Sequence, residues 1–258
     1  MDDRSPQIRG TAAKGTTPAG TTDEQSAARE VERMFDEIAP RYDVVNHTIS
    51  MNVDRLWWRR TARAFRHILE RDQVRVLDLC AGTGDMSVAL HRAANRTDQP
   101  ALTIYALDFS HQMLQHGLGK YSAKRIQPIE ADALALPFPG DHLDLVVSAF
   151  GFRNLANYDA GLREIARVLK PGGEVGILDF GEPYGPLRKL YTFYFRRVLP
   201  RIGTLISGVR GPYNYLPASV QKFPSPQQML DHMRALGFKQ VSWMPYTFGI
   251  AGLYRGTK

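Results

Sequence analysis

Val76-Leu77-Asp78-Leu79-Cys80-Ala81-Gly82-Thr83-Gly84-Asp85 joins an apolar run to a glycine-rich bend, and a helical pattern follows. This order predicts a strand, a loop and a helix that bind a nucleotide-like ligand, because Gly82 and Gly84 let backbone N–H groups approach a ligand closely. Asp78 places a carboxylate near the end of the same strand. The stretch therefore predicts a doubly wound α/β fold whose ligand lies beyond the carboxyl ends of the strands.

A second apolar run, 102–107, ends in Asp108, which lies 24 residues after Gly84. This spacing is close to the roughly 20 residues between a glycine loop and an acid that accepts hydrogen bonds from ribose hydroxyls. The loop lacks the third glycine of the dinucleotide fingerprint, and Asp78 and Asp85 would repel a pyrophosphate. A cationic cofactor, S-adenosylmethionine, fits this pattern. A strand with an ordinary tight turn would explain the glycines but not two acids at strand ends.

The rest of the chain alternates strand and helix patterns, as expected for one α/β domain over 27–258. The predicted strands are 74–79, 102–108, 126–131, 143–149 and 173–180. The predicted helices are 27–35, 54–69, 85–94, 110–120 and 157–169. Asp132 and Ala133 follow the third strand, and we predict that they bond the adenine amino group. A loop-capping role is the alternative for Asp132.

The amino-terminal segment 1–26 is rich in Thr, Ala and Gly and has no apolar run that would serve as a signal peptide or membrane span. We predict that it is disordered. Cys80 is the one cysteine among 258 residues, so no disulfide forms within the chain. We expect Cys80 to be a packed residue rather than a nucleophile, because no histidine lies beside it in the loop. No metal site is predicted.

The net charge of +7 is concentrated in the segment 183–230, which holds seven basic residues and no acid. Within it, the apolar positions from Leu187 to Ile202 follow a helical period with arginines beside them. This pattern predicts a cap-like insertion at about 183–224. Its helix either lies at a membrane surface or covers an apolar substrate, and an amphipathic helix packed on the domain is the alternative. An anionic partner, membrane or nucleic acid, would lie near this charge.

Several runs together resemble the C-methyltransferases of menaquinone and ubiquinone biosynthesis. They are VERMFDEIAPRYDVVNHTISMNVDRLWWR from Val31, the loop VLDLCAGTGD, EADALALPFP, AFGFRNL, REIARVLKPGGEVGILDF, and the late VLPRIG and YNYL. The resemblance covers about 31–258. It implies a class I S-adenosylmethionine-dependent fold with a seven-stranded, mostly parallel sheet, amino-terminal helices and a prenylated quinol as methyl acceptor.

The same resemblance implies which residues contact the cofactor. By motif match these are Thr83, Asp108, Asp132 and Ala133, while Gly82 and Gly84 shape the pocket and Asp78 flanks it. Three positions depart from the family pattern. Cys80 stands where the general loop prefers glycine, Asp54 stands where histidine is frequent, and Ala149 replaces a serine of some relatives.

Methylation of a quinol carbon requires a phenolate-like ring oxygen and an aligned ring. Our hypothesis is that Arg153 stabilises the phenolate or relays its proton, that Asn154 orients the ring, and that Tyr42 and the adjacent Asp43 close over the acceptor. A structural role for Arg153, satisfying strand-end carbonyls, is the alternative. His47 and His111 are alternative bases.

The leading function is methylation of demethylmenaquinol to menaquinol, and methylation of a polyprenyl-methoxy-benzoquinol in ubiquinone biosynthesis is the alternative. More remote alternatives are an RNA methyltransferase and a non-catalytic, cofactor-binding scaffold. We expect no nucleic acid partner, but transient contact with a membrane surface. The expected location is the cytoplasm, with peripheral attachment to the inner face of the membrane left open. A homodimer and membership of a quinone-biosynthesis complex are also left open.

Overall fold

A seven-stranded sheet forms the centre of the computed structural model, which describes residues 15–94, 102–124, 126–181, 183–185, 188, 193–199, 201 and 212–258. The strands are β1 Arg75–Leu79, β2 Thr103–Asp108, β3 Gln127–Glu130, β4 Leu143–Ala149, β5 Leu169–Phe180, β6 Lys239–Tyr246 and β7 Ala251–Thr257. Their order is β3-β2-β1-β4-β5-β7-β6, and β7 runs antiparallel to both its neighbours. The predicted class I, mostly parallel α/β fold is confirmed.

Helices cover both faces of this sheet. They are α1 Glu24–Ile38, α2 Tyr42–Ile49, α3 Val53–Ala64, α4 Arg66–Leu69, α5 Asp85–Ala93, α6 His111–Ser122, α7 Tyr158–Val168, α8 Pro212–Lys222 and α9 Pro226–Ala235. The side chain of Asp23 accepts from the backbone N–H of Ser26, and the Ser26 side chain accepts from the Asp23 N–H, so a capping box starts α1.

The central strands are buried on both faces, which explains their nearly continuous apolar sequences. Val76 of β1 pairs with Ile104 and Leu145, and it belongs to the core under α3 to α6. Its neighbour Leu77 points to the opposite core, under α7 and α9. In this parallel register Leu79 lies beside Leu107, so the loops after β1 and β2 emerge together at one edge.

Several element boundaries differ from the prediction. The predicted helix 54–69 divides at Phe65, which leaves the helical region at φ −107° and ψ 13°. Strand β5 begins at Leu169 rather than 173, because Leu143 pairs with Leu169 and Leu145 with Glu174, so the intervening proline and glycines form an irregularity. Helix α1 begins at Glu24 rather than 27.

The predicted disorder of 1–26 is wrong for its last part, 15–26. Thr16 is buried, its N–H donates to the Leu155 carbonyl, and the Gly15 N–H donates to the Ala156 carbonyl. Residues 1–14 lie outside the described residues. So does part of the predicted helical stripe at 187–202, of which 188, 193–199 and 201 are described.

Candidate active site

A cavity of about 690 Å³, including space open to solvent, lies at the carboxyl ends of β1, β2 and β4, where a doubly wound fold places its ligands. Strand-end loops form one side, and side chains of α1 and α2 cover the other. The residues contributed by the loops include Cys80, Gly82, Asp108, Asp132, Ala133, Ala149, Phe150 and Asn154, and those of the helices are Ala28, Val31, Phe35 and Tyr42.

Asp108 ends β2 and borders the cavity, as predicted. Its Oδ2 accepts a hydrogen bond of 2.8 Å from the Gly82 N–H, and its Oδ1 accepts one of 2.9 Å from the Ser110 N–H. Burial raises the pKa of this carboxyl to about 6, although the backbone N–H groups oppose the shift. Asp108 therefore closes the glycine loop and is ionised at neutral pH.

The glycine loop shows why its residue types are needed. Gly82 and Gly84 have φ values of 56° and 88°, in the left-handed region. A Cβ on Gly84 would lie 2.3 Å from the Tyr121 ring, whose hydroxyl donates to the Gly82 carbonyl. Gly84 therefore serves packing and does not line the cavity. Cys80 also has a positive φ of 57°, which is the physical reason why this position favours glycine.

Asp78 and Thr83, two predicted cofactor contacts, do not line the cavity. Asp78 is fully buried, and its Oδ2 accepts a 2.6 Å hydrogen bond from the Ser87 hydroxyl. Burial raises the pKa of Asp78 to about 7, and its Oδ1 has no hydrogen-bond partner among the described residues. The Thr83 hydroxyl donates to Asp43 at 2.5 Å. Both residues support the loop from behind, and direct cofactor contact by their side chains stays a prediction.

Asp132 and Ala133 both line the cavity, next to the end of β3. The Asp132 Oδ1 accepts a 2.8 Å hydrogen bond from the Leu134 N–H, which is the loop-capping geometry considered as the alternative. The Asp132 residue is nevertheless exposed at the cavity edge. The loop thus caps itself through Oδ1, and contact of Asp132 with a ligand stays a prediction.

A polar cluster fastens the helical cover to the glycine loop. The Lys120 ammonium donates to Asp43 at 2.7 Å and to Asp85 at 2.8 Å, and the Thr83 hydroxyl joins the same group. Burial opposes ionisation of Asp43, but the bonds from Lys120 and Thr83 outweigh it and lower the pKa of Asp43. We name these four residues the Lys120 cluster. Sequence reasoning missed Lys120, because 77 residues separate it from Asp43.

Arg153 lies behind the cavity wall. Its guanidinium donates to Asp179 Oδ1 at 2.9 Å and to the Phe150 carbonyl, and its backbone N–H donates to Asp179 Oδ2 at 3.0 Å. Phe150 has a φ of 61°, a rare conformation for a bulky residue. The Arg153 and Asp179 pair therefore holds this strained part of the wall, as the structural alternative expected. A catalytic role of Arg153 stays a prediction.

Three hydroxyl and amide groups form a hydrogen-bonded chain that ends at the cavity wall. The Tyr215 hydroxyl donates to Asn154 Oδ1 at 3.2 Å and shares a 2.5 Å hydrogen bond with Thr16. Asn154 and Tyr42 line the cavity, as their predicted roles require. Burial raises the pKa of the Tyr42 hydroxyl, while the nearby positive charge of Arg153 lowers it to a smaller extent. Tyr42 therefore keeps its proton at neutral pH.

Neither histidine considered as a base lines the cavity. His47 Nδ1 lies 2.9 Å from Asp54 Oδ2, and its ring packs edge-on against Trp58. His111 Nδ1 lies 2.6 Å from Glu130 Oε2, and both side chains are exposed. Asp54, which departs from the family pattern, thus has a structural partner in α2.

The residues present fit an adenosine-bearing cofactor. An ionised acid lies at the end of β2, and Asp132 and Ala133 lie beyond β3. The walls between them are apolar, contributed by residues such as Leu107, Met113 and Leu134. Apolar walls with a few convergent polar groups are typical of cofactor sites.

Comparison with known sequences gives one family. Its model, described as the ubiE/COQ5 methyltransferase family, matches residues 21–258. A demethylmenaquinone methyltransferase of Deinococcus radiodurans is 44% identical over 95% of this chain and 99% of its own length. The protein of the same name from Thermus thermophilus is 44% identical over 87% of this chain and 100% of its own length. A ubiquinone/menaquinone biosynthesis C-methyltransferase of Geobacter sulfurreducens is 42% identical over 88% of each chain.

Comparison with solved structures supports the fold. An S-adenosylmethionine-dependent methyltransferase of Thermotoga maritima superposes with a TM-score of 0.58 at 18% identity, over 88% of this chain and 99% of that one. The cyclase SpnF superposes with a TM-score of 0.65 at 16% identity, over 96% of this chain and 98% of that one. Because a methyltransferase and a cyclase share the architecture, these likenesses show the fold alone.

Proposed function

This chain belongs to the ubiE/COQ5 methyltransferase family, and from that membership we propose that it methylates a ring carbon of demethylmenaquinol to give menaquinol. The observation that carries the proposal is the 44% identity, over nearly the full length of both chains, to a protein named for this reaction. The cavity agrees with it, because an acid suited to ribose and an apolar space for a ring lie side by side. S-adenosylmethionine supplies the activated methyl group when it is bound.

On the cofactor side, we propose that Asp108 accepts from the ribose hydroxyls and that Asp132 and Ala133 hold the adenine. The Gly82 N–H donates to Asp108, so that glycine positions the acid rather than the ligand. The glycine loop then fixes the carboxylate of Asp108 before the ligand arrives, which avoids reorganisation on binding.

On the acceptor side, we propose that Asn154 and Tyr42 orient the quinol. The Tyr215 hydroxyl occupies Asn154 Oδ1, which leaves the amide N–H groups of Asn154 as donors to a ring oxygen. Tyr42, which keeps its proton, is a second donor. Both would stabilise negative charge that develops on that oxygen. Arg153 adds its positive charge from behind the wall, without touching the acceptor.

Transfer of a labelled methyl group tests the proposal. The acceptors are demethylmenaquinol and a polyprenyl-methoxy-benzoquinol in detergent, with ribosomal RNA in a third reaction. We expect label on demethylmenaquinol. Label on RNA alone would overturn the assignment, and confirmed cofactor binding without label on any acceptor would favour a scaffold.

The benzoquinol is the second candidate acceptor, because relatives at 42% identity are named for both ubiquinone and menaquinone biosynthesis. The ratio of the two labelled quinols at equal concentration decides between one acceptor and two. A methoxy-substituted ring needs more room beside its reacting carbon than a naphthoquinol ring does. If Phe150 and Asn154 contact the ring, we expect them to exclude the methoxy group, and the protein should then methylate demethylmenaquinol alone.

We also propose that the protein works in the cytoplasm and visits the inner face of the membrane, since a prenylated quinol resides in a bilayer. Within the described ranges, no helix is both long and apolar enough to cross a membrane. A homodimer or a quinone-biosynthesis complex is also part of this proposal. Sedimentation of the purified full chain alone measures its oligomeric state, and co-sedimentation with lipid vesicles measures its binding to a membrane.

A further inference from the structure

Two turns near α3 present large apolar side chains to solvent in a strained backbone conformation. Met51 and Asn52 have φ values of 51° and 60°, and Thr247 and Phe248 have values of 45° and 56°. Successive non-glycine residues in the left-handed region cost conformational energy and persist where the surroundings or a function require them. Met51 is 76% exposed and Phe248 is 60% exposed. These turns therefore combine a strained backbone with exposed apolar side chains, which would be more stable if they were buried.

The turn of Met51 and Asn52 leads directly into α3, and the turn of Thr247 and Phe248 is bonded to the side of this helix. The Trp57 indole N–H donates to the Thr247 hydroxyl at 2.8 Å, which ties α3 to the turn of Phe248. Arg60 lies 4.4 Å from the centre of the Tyr246 ring, one turn further along the helix. Leu56, 57% exposed, stands on the same outer side as Arg60.

The outer side of α3 is strongly basic. Arg55, Arg59, Arg60 and Arg63 are all exposed, and the acid of this helix, Asp54, is buried against His47. Within the described part of the chain, no ion pair is seen for these four arginines. The α3 face, as we define it, consists of Met51, Leu56, Phe248, Arg55, Arg59, Arg60 and Arg63.

The α3 face is one aromatic layer away from the cavity. Phe150 lines the cavity, and its ring centre lies 5.8 Å from that of Trp57. Phe180 packs against both rings, at 4.6 Å from Phe150 and 6.2 Å from Trp57. Helix α3 and this aromatic layer therefore separate the α3 face from the Phe150 side of the cavity.

We propose that the α3 face docks on an anionic lipid bilayer, with Met51, Leu56 and Phe248 inserted among the acyl chains and the arginines on the headgroups. Exposed arginines around exposed apolar side chains match the two layers of such a surface in both charge and polarity. The inference rests on the proposed function for its purpose, because docking here brings the site to a lipid-borne quinol. RNA would match the arginines but would leave Met51 and Leu56 in water.

Co-sedimentation of the full chain with vesicles tests this without cofactor or acceptor. Vesicles of equimolar phosphatidylglycerol and phosphatidylcholine are compared with pure phosphatidylcholine at low and high salt. We expect strong, salt-sensitive binding to the anionic vesicles only. The combined changes Arg55→Gln, Arg59→Gln and Arg63→Gln should weaken it about a hundredfold. Met51→Ser, Leu56→Ser and Phe248→Ser together should weaken it about tenfold.

Matched variants distinguish the contribution of the α3 face to vesicle binding from that of the overall charge of the protein. Arg29→Gln, Arg163→Gln and Arg234→Gln remove the same charge elsewhere, and Leu118→Ser is the counterpart of Leu56→Ser on α6. These controls should bind as wild type does. Equal loss in the controls, or binding of ribosomal RNA by the wild type with no binding of vesicles, would overturn the proposal.

Activity on a short-tailed demethylmenaquinol in detergent distinguishes the two proposals. We expect the variants of the α3 face to retain it, since none of these residues lines the cavity. Retained vesicle binding with no methylation would refute the proposed function alone, whereas methylation without vesicle binding would refute the docking surface alone.

Discussion

The two sides of the cavity are built by different physical means. The floor, formed by Gly82, Asp108 and Phe150, consists of strand ends whose polar atoms are bonded to nearby backbone groups. The cover, formed by α1 and α2, is attached by side chains from distant parts of the chain, such as Lys120. The floor is therefore fixed by the sheet, whereas the cover depends on a few polar contacts. We expect substitutions in the floor to reduce the stability of the fold or its affinity for the cofactor. Substitutions in the cover should instead change the rate at which the cofactor enters and leaves the cavity.

The largest expected effect is that of Arg153→Ala on the floor. The change leaves Asp179 buried without its cation and removes a bond to the strained Phe150, so the free energy of unfolding should fall by about 3–5 kcal/mol. Thermal and denaturant unfolding measure this, with Arg163→Ala as the exposed control. Unchanged stability combined with lost activity at saturating quinol would instead place Arg153 in the chemistry. Full activity at saturating quinol would remove it from the mechanism.

Asp108→Asn has the next largest expected effect, because it removes a charge from the floor but keeps a side chain of nearly the same size. Loss of a charged acceptor for two ribose hydroxyls should weaken cofactor binding by about a hundredfold, measured by calorimetry. The amide oxygen still accepts one backbone N–H, but the amide NH2 group then faces the other, so the apo protein should melt a few degrees below wild type. A variant that binds the cofactor as wild type does would exclude Asp108 from ribose recognition.

The same carboxyl predicts a pH dependence. Its pKa is raised to about 6 in the free protein, so protonation competes with ribose binding below that pH. Cofactor affinity should fall by about tenfold for each pH unit below about 6. Calorimetry over this range measures the slope, which should vanish in Asp108→Asn.

Lys120→Met tests the cover. The change leaves Asp43 and Asp85 close together without their shared cation, so α2 should detach more often and the cofactor should dissociate about tenfold faster. Stopped-flow displacement measures that rate, with Lys124→Met as the control. An unchanged dissociation rate would show that the Lys120 cluster does not hold the cover closed.

Tyr215→Phe should have the smallest effect and should separate the acceptor from the cofactor. Without the hydroxyl, Asn154 loses the partner of its Oδ1, and we expect the KM for quinol to rise about fivefold while cofactor affinity is unchanged. Tyr184→Phe, at an exposed position, is the control. A change in cofactor affinity would contradict this division of the site.

The same contrast explains what could be predicted from the sequence. The strand ends that carry Asp108 and Asp132 follow from local periodicity and spacing, and the structure places both at the cavity. The contact of Asp43 with Lys120 could not be predicted in this way, since Lys120 comes from another element and no local pattern links the two residues. Thr16 and Tyr215 are 199 residues apart. Thr83 shows the same limit, because its motif was recognised but its partner Asp43 was not.

Cys80 provides a chemical probe for the opening of the helical cover. It is the one thiol of the chain and lies in the wall of a chamber closed by α1 and α2, and burial raises the pKa of that thiol. Cys80 is only partly exposed, so parting of the helices should raise the rate at which a maleimide alkylates it. Labelling of the unmodified protein therefore reports on this motion without engineered probes, and a ligand in the cavity should slow the labelling.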